Sequence, residues 1–382
     1  MKILFTGGGT GGHIFPIIAV AREIKKLQIS APEQSKTKLK LFYIGPRDPF
    51  GEIFLSQEGI KIKSIYAGKF RRYLDADALV QNFIDIFFKI PIGIFQSFFY
   101  IFFLSPDLIF SKGGYGSLPP VLTSWILGVP IFLHESDVIP GLSNRILSRF
   151  SSLIFVSFPK TEYFPLSKTA LVSNPIRREL LDGSVNEAKK VFKLRAEKNR
   201  PLILILGGSQ GARRINDLVL NILPQLLNDF EIIHQCGDKN FKQVRAEANI
   251  VIKKEQQEYY HLYPFLREGE IKHAYKACDL VICRSGSSSI FEISAFGKPS
   301  ILVPLPEAAQ NHQAKNAQVY AKTGATLIIE EANLTPHFFL DRLNSLFSHP
   351  ENLEKMKEEA IRFSRPEAAK KIAQSIVSYL LG

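Results

Sequence analysis

Twice along this chain a short apolar run passes at once into a cluster of glycines and then into a segment of helical period. Ile3-Leu4-Phe5 leads through Thr6 into Gly7-Gly8-Gly9-Thr10-Gly11-Gly12, and Leu202 to Leu206 leads into Gly207-Gly208-Ser209-Gln210-Gly211. A strand, a glycine turn and a helix aim free N–H groups and the positive end of a helix dipole at one spot where no side chain intervenes, which makes an anion site. Two such sites imply twin anions or one long ligand. Each also opens a series of βα units. In the first series Ile3–Thr6, Leu39–Ile44, Leu108–Ser111, Pro130–His134 and Leu153–Val156 read as strands, with helices over Pro16–Leu27, Leu118–Leu127 and Leu142–Ser148. In the second, strands are expected over Leu202–Leu206, Glu231–Gln235, Leu280–Cys283, Ser300–Val303 and Thr326–Ile329, with helices over Arg213–Leu227, Ser288–Phe296 and His312–Lys322. The predicted fold class is α/β: two Rossmann-like, doubly wound domains with a cleft between the carboxyl ends of their sheets.

A length of 382 residues suits two domains. The expected division is an N-terminal domain over 1–160, a linker over 161–175 flanked or crossed by Pro159, Pro165 and Pro175, and a C-terminal domain over 176–350. The helical segment 351–382, interrupted at Pro366, is expected to pack back on the N-terminal domain. The three cysteines cannot form a disulfide framework and lack zinc-ligand spacing, so a reducing, cytoplasmic compartment is expected, with neither metal nor cofactor. The N-terminal apolar run is too short for a signal-peptide core.

The segment Phe83–Leu104 approaches bilayer-spanning length, but Asp85, Lys89 and Gln96 lie inside it and Pro91 and Gly93 fall near its middle. The alternatives to a span are a buried helix-break-helix and an interfacial element resting on lipid. Just upstream, Lys61, Lys63, Lys69, Arg71 and Arg72 form a basic cluster suited to anionic headgroups.

Gly7, Gly9 and Gly12 satisfy GxGxxG, yet the second strand ends in Gly45-Pro46-Arg47 without the acidic residue that would hold a dinucleotide ribose. Neither glycine turn continues into the Gly-Lys-Ser/Thr of a P-loop. Asp75-Ala76-Asp77 spells the DxD of metal-dependent nucleotide-sugar enzymes, but it lies in an apparent helix start beside the basic cluster.

Seven motifs in register resemble the MurG family, peripheral-membrane N-acetylglucosaminyltransferases that convert lipid I to lipid II in peptidoglycan synthesis. They are Thr6 to His13 with Pro16, Lys112-Gly113-Gly114-Tyr115, His134-Glu135 with Pro140-Gly141-Leu142, and Asn174-Pro175-Ile176-Arg177. Gly207 to Gly211, Cys283-Arg284-Ser285-Gly286 through Glu292, and His312-Gln313 with Asn316-Ala317 complete the series. The resemblance implies a GT-B fold and metal-independent, inverting transfer from UDP-N-acetylglucosamine to lipid I at the cytoplasmic face of the cell membrane.

In such a transfer the acceptor 4-hydroxyl attacks the anomeric carbon as UDP departs, so one oxygen needs a base and the other needs positive potential. His13, at a helix start that keeps an imidazole neutral, is the candidate base; Glu135 is its rival. The resemblance assigns Thr10, Gly11 and Gly12 to the sugar and acceptor side. It assigns Arg177, Ser209 and Leu266 to uridine and phosphate, Ser287, Ser288, Ser289, Ile290, Phe291 and Glu292 to the nucleotide, and Gln313 to the sugar. Glu292 would accept both ribose hydroxyls, as a carboxylate can. Three departures stand out. His134-Glu135-Ser136-Asp137 replaces the usual His-Glu-Gln-Asn, putting a carboxylate at Asp137 where an amide meets substrate. Ser289 replaces Thr. The spacing between Glu292 and Gln313 is one residue longer, which falls on the Glu307 to Asn311 loop.

Two other functions compete. A related GT-B enzyme would act on a different lipid acceptor, such as diacylglycerol or another polyprenyl glycolipid, and Asp137 is its best support. A non-catalytic polyanion or nucleic-acid binder would account for a net charge of +12, but not for the twin glycine turns or Glu292. Through Lys160 there are 18 Lys+Arg against 11 Asp+Glu, so the excess concentrates in the half that also holds the aromatic stretch. That placement favours an anionic membrane surface over nucleic acid.

Overall fold

The computed structural model describes residues 1–8, 11–30, 38–69, 71, 76–159, 162–195, 197, 200–208 and 211–382. It divides into two units, Met1–Arg177 with Pro366–Gly382, and Arg178–Arg365.

In the first unit seven parallel strands are β1 (Lys2–Thr6), β2 (Lys40–Pro46), β3 (Lys61–Ile65), β4 (Leu108–Ser111), β5 (Ile131–Glu135), β6 (Leu153–Val156) and β7 (Thr169–Leu171). Their order is β3-β2-β1-β4-β5-β6-β7, with Ile3 paired to both Leu41 and Leu108 at the centre. The central strands are buried on both faces, which is why they read as continuous apolar runs. One face is covered by the helix Gly11–Ile29 and by the C-terminal helix Ala368–Leu381, whose Ala369, Ile372, Ala373 and Ile376 join the core of Ile3, Phe5 and Ile17.

The second unit holds six parallel strands: β8 (Leu202–Leu206), β9 (Glu231–Gln235), β10 (Tyr260–Tyr263), β11 (Leu280–Cys283), β12 (Ser300–Leu302) and β13 (Thr326–Ile328). The order is β10-β9-β8-β11-β12-β13. In both sheets the winding reverses beside the strand that carries the glycine turn, between β1 and β4 and between β8 and β11. An open parallel sheet offers a crevice for ligand at such a point.

All ten expected strands form; β3, β7 and β10 are additional. β7 pairs with β6, so the stretch expected as a linker over 161–175 contributes an edge strand to the first unit. The segment 351–382 does not return as one block. Its first helix, Pro350–Phe363, stays with the second unit, where Met356 and Ala360 are buried, and only the part after Pro366 joins the first.

The aromatic segment forms a continuous helical path: Ala76–Ile84, one π-helical turn Asp85–Lys89, then Ile90–Leu104. No break occurs at Pro91, because it lies in the first turn after the π turn, where the hydrogen-bond pattern is already shifted. Nor is the segment a buried one. Phe95 and Phe103 are 74% and 69% exposed, and Phe83, Phe87, Phe88, Phe99 and Phe102 are exposed beside them. The buried stripe is instead Ala78, Asn82, Asp85, Gly93, Ser97 and Ile101. Its polar members hold the loop after β3. Asp85 pairs with Arg71 at 2.7 Å and with Lys89 at 2.5 Å, and Asn82 exchanges hydrogen bonds with the Arg71 backbone at 2.8 and 2.7 Å. Gly93 is required: a Cβ there would stand 1.9 Å from the Tyr66 carbonyl oxygen. Among the described residues this is the one helix long and apolar enough, by length and composition, to cross a membrane.

Candidate active site

At the first switch point the turn after β1 meets the turn after β4. The Lys112 N–H donates to the Thr6 carbonyl at 2.8 Å, which sets the two turns side by side, and the Tyr43 hydroxyl of β2 donates to the Gly7 carbonyl at 3.1 Å, which holds the first turn from its other flank. His13, in the first turn of Gly11–Ile29, lays its imidazole across them. A Cβ on Gly8 would come within 3.2 Å of the ring, and one on Gly114, where φ is +82°, within 3.0 Å of Nε2. The glycines of both turns therefore make room for this one side chain. Burial and then the Lys112 charge depress its pKa from 6.5 to about 3, so the imidazole is neutral at physiological pH.

Behind His13 lies a buried charged cluster. Lys112 Nζ donates to the Ser136 hydroxyl. Glu135 accepts from the Asp137 N–H at 2.8 Å on one oxygen and from the Asn144 side-chain amide at 2.8 Å on the other. Burial, reinforced by Asp137, pushes the Glu135 carboxyl up, and burial pushes the Lys112 ammonium down against the pull of both carboxylates. His134 is buried and kept neutral, with Nε2 3.0 Å from the Ser173 carbonyl oxygen. Ser173 (φ +86°) begins the turn into Asn174-Pro175-Ile176-Arg177. Arg177, expected in the C-terminal domain, belongs to the first unit and stacks its guanidinium 4.0 Å from the Phe15 ring centre. Lys112 and Gly114 entered the sequence reading only as part of a motif, with no role given to either, and Asn144 was not singled out. Lys112 carries a faint signal, a cation set after the apolar run Leu108-Ile109-Phe110 and Ser111 and before two glycines.

Thr10 and Ser209 lie outside the described residues, as do Arg72 and Asp75. Gly11 and Gly12 open the His13 helix.

At the second switch point Gly208 and Gly211 have φ of +74° and +80°, and a Cβ on Gly211 would strike the Asn240 side chain at 2.0 Å. After β11, Gly286 caps the helix Ser287–Ala295, placing Ser287, Ser288 and Ser289 in its first turn. Glu292, one turn further, accepts from the Tyr275 hydroxyl at 3.2 Å. Ile290 and Phe291 turn their side chains into the core, Phe291 stacking on Phe363, so any role at a site would fall to their backbone. Leu266 is buried, with its N–H held by Gln235 at 2.9 Å. Gln313 accepts from the Leu305 N–H at 3.1 Å, and its carbonyl accepts from the Ser285 hydroxyl at 2.9 Å. In the loop before it Gln310 and Asn311 both have φ of +57°. Arg284, in contact with Glu331 at 2.5 Å, braces the end of β12.

Residues 3–156 match the model of the glycosyltransferase family 28 N-terminal domain and residues 202–373 that of its C-terminal domain. A Clostridium tetani protein named UDP-N-acetylglucosamine--N-acetylmuramyl-(pentapeptide) pyrophosphoryl-undecaprenol N-acetylglucosamine transferase is 36% identical over 364 residues, 94% of each chain. One of the same name from Clostridium kluyveri is 35% identical over 381 residues, 99% of each. The chain belongs to the MurG family of glycosyltransferases. The crystal structure of Acinetobacter baumannii MurG superposes with a TM-score of 0.72 at 26% identity, over 99% of each chain. The MurG family's GT-B class, two Rossmann-like parallel-sheet domains, is therefore the fold observed.

The His13 environment makes a direct prediction. An NMR titration, with the resonance assigned by comparison with His13→Asn, should show no protonation near pH 6.5 and a midpoint close to 3. Through that window the unfolded chain binds the proton and the native one does not, so this group makes stability rise with pH. A midpoint near 6.5 would contradict the half-buried, Lys112-facing placement.

Proposed function

We propose that the protein transfers N-acetylglucosamine from UDP-N-acetylglucosamine to the 4-hydroxyl of N-acetylmuramic acid in lipid I, giving lipid II with inversion at the anomeric carbon. The observation that carries this reading is the His13 imidazole laid across two glycine turns at the first switch point, in a chain that aligns over nearly its whole length with relatives of that name. As the acceptor oxygen bonds to the anomeric carbon, its proton passes to His13 and the bond to the UDP oxygen breaks, leaving its electron pair on the diphosphate. A pyrophosphate acceptor bound in the first unit would offset the Lys112 field and raise the imidazole's basicity toward the range a general base needs. Glu135 has the raised pKa of a base, but both its oxygens already accept hydrogen bonds, which suits a carboxylate that shapes the turn containing Asp137.

In this reading Thr10, Gly11 and Gly12 line the sugar side. The leaving diphosphate is met by Ser209, by Arg177 and by the helix N-terminus at Ser287, Ser288 and Ser289. Leu266 and the backbone of Ile290 and Phe291 bound the nucleotide, Glu292 takes the ribose hydroxyls, and Gln313 takes a donor-sugar hydroxyl. No metal, cofactor or nucleic acid enters this scheme.

The enzyme acts as a peripheral protein on the cytoplasmic leaflet. The helical path Ala76–Leu104 is tied along its length to its own unit by Asn82, Asp85 and Gly93, which a transmembrane placement would strip away. Its outward phenylalanines suit insertion into the interface, at about 1.5–3 kcal/mol each if fully buried. Lys61, Lys63 and Lys69 are exposed nearby and suit anionic headgroups, whereas Arg71 is engaged by Asp85.

Purified protein given labelled UDP-N-acetylglucosamine should label lipid I and leave diacylglycerol unlabelled; labelling of diacylglycerol alone overturns the acceptor assignment. In the same assay His13→Ala should lower kcat by about 10²–10⁴ while the KM for UDP-N-acetylglucosamine changes little. Unchanged turnover removes His13 from the mechanism. Replacing Phe95, Phe102 and Phe103 together by Ser should weaken partition onto anionic vesicles by about tenfold or more. Equal partition of variant and parent would return that face to an ordinary surface.

A further inference from the structure

Glu292 is a long, half-exposed side chain set one turn into the helix Ser287–Ala295. Left to itself such a carboxylate visits many rotamers, and ordering it on binding costs affinity. In this structure it is already held. The Tyr275 hydroxyl donates to Glu292 Oε2 at 3.2 Å. Tyr275 comes from a different element, the helix Glu268–Ala277 that precedes β11, so the carboxylate is oriented from outside its own helix.

Tyr275 is anchored where Glu292 is not. It is 1% exposed and belongs to the same core cluster of the second unit as Ala274, Cys278, Cys283, Ile290 and Ile293. Its ring stacks on Phe296, with the centroids 4.9 Å apart and the planes 22° from parallel. A phenol withdrawn from water needs a hydrogen-bond partner, and here that partner is a side chain beside the second switch point. Burial, and after it the Glu292 charge, push the phenol well above its ordinary value, so it keeps its proton and acts as a donor. A carboxylate oxygen can accept more than one hydrogen bond, so a group held at Oε2 in this way is still able to meet a diol.

We propose that Tyr275 is a positioning residue for the nucleotide: its anchored hydroxyl sets the direction of the Glu292 carboxylate, so that the two ribose hydroxyls meet an acceptor already in place. The inference rests on the reading above that Glu292 takes those hydroxyls. It goes beyond that reading by giving ribose recognition a second residue, one that is buried and acts through Glu292.

Binding to the full chain tests this, with UDP and 2′-deoxy-UDP as the probes and Tyr275→Phe as the variant, which keeps the stacked ring and removes the donor. The parent should bind UDP about tenfold or more tighter than 2′-deoxy-UDP. Tyr275→Phe should weaken UDP by about tenfold, weaken 2′-deoxy-UDP less, and so narrow the preference to about threefold. In turnover the KM for UDP-N-acetylglucosamine should rise while kcat moves by less than about threefold, because the ribose is held alike in the ground and transition states. On a Glu292→Ala background the same substitution should change UDP affinity by less than about twofold, since Tyr275 then has no carboxylate to orient. The thermal midpoint of unfolding shows that each variant is folded. If Tyr275→Phe does not fold, Phe296→Leu, which keeps the hydroxyl but loosens the stacked ring, takes its place and should narrow the same preference. A folded Tyr275→Phe variant with the parent's preference for UDP, or an equal loss with and without Glu292, overturns the positioning role. A parent that binds the two probes equally overturns the ribose role of Glu292, and the proposal with it.

Discussion

The imidazole of His13 occupies space that the backbone has to leave open. Three glycines, Gly7, Gly8 and Gly114, come from two different turns, and the His13 side chain lies against all of them, its Cβ at Gly7 and its ring at Gly8 and Gly114. That contact is possible only because β1 and β4 are neighbours in a parallel sheet whose winding reverses between them. The register that pairs Ile3 with Leu108 and Thr6 with Ser111 brings both strands to an end at the same level, so their turns abut. The partial burial of the side chain, the nearness of Lys112 and the depressed pKa all follow from that one arrangement.

The second sheet repeats the device with different chemistry. Its switch point joins a glycine turn after β8 to a serine-rich helix start after β11, and one turn along that helix Glu292 is steadied by Tyr275. One unit therefore presents a neutral imidazole backed by buried charge, and the other presents a serine-rich helix start and a carboxylate. The proposed division, acceptor in the first unit and nucleotide sugar in the second, is a division between those two sets of groups.

What was legible in the sequence was whatever depends on continuous apolar runs and on glycine. The ten strands read from such runs all form, and both glycine turns lie at switch points. The strands that were not legible are short or mixed: β3 alternates lysine with isoleucine and reads as a basic cluster, and β7 is three residues in a proline-rich stretch. Arg177 was placed on the wrong side of the unit boundary because its anchor, the stacking on Phe15, is a contact distant in sequence. For the aromatic helix only the buried helix-break-helix alternative fails, and for a different reason. Periodicity locates an amphipathic face but assumes that the apolar side is the buried one, and here Ala78, Gly93 and Ser97 go inward while the phenylalanines go out. Lys112 was quoted within a motif but given no role, because a lone lysine ordinarily reads as surface.

The claim on which the rest turns is that His13 meets the attacking hydroxyl. A structure of the protein with UDP and a soluble lipid I analogue tests it most directly. The account predicts the acceptor 4-hydroxyl within hydrogen-bonding reach of the His13 ring, about 2.6–3.2 Å or through one water. A 4-hydroxyl bound to the Glu135 carboxylate, with His13 turned away, would contradict it.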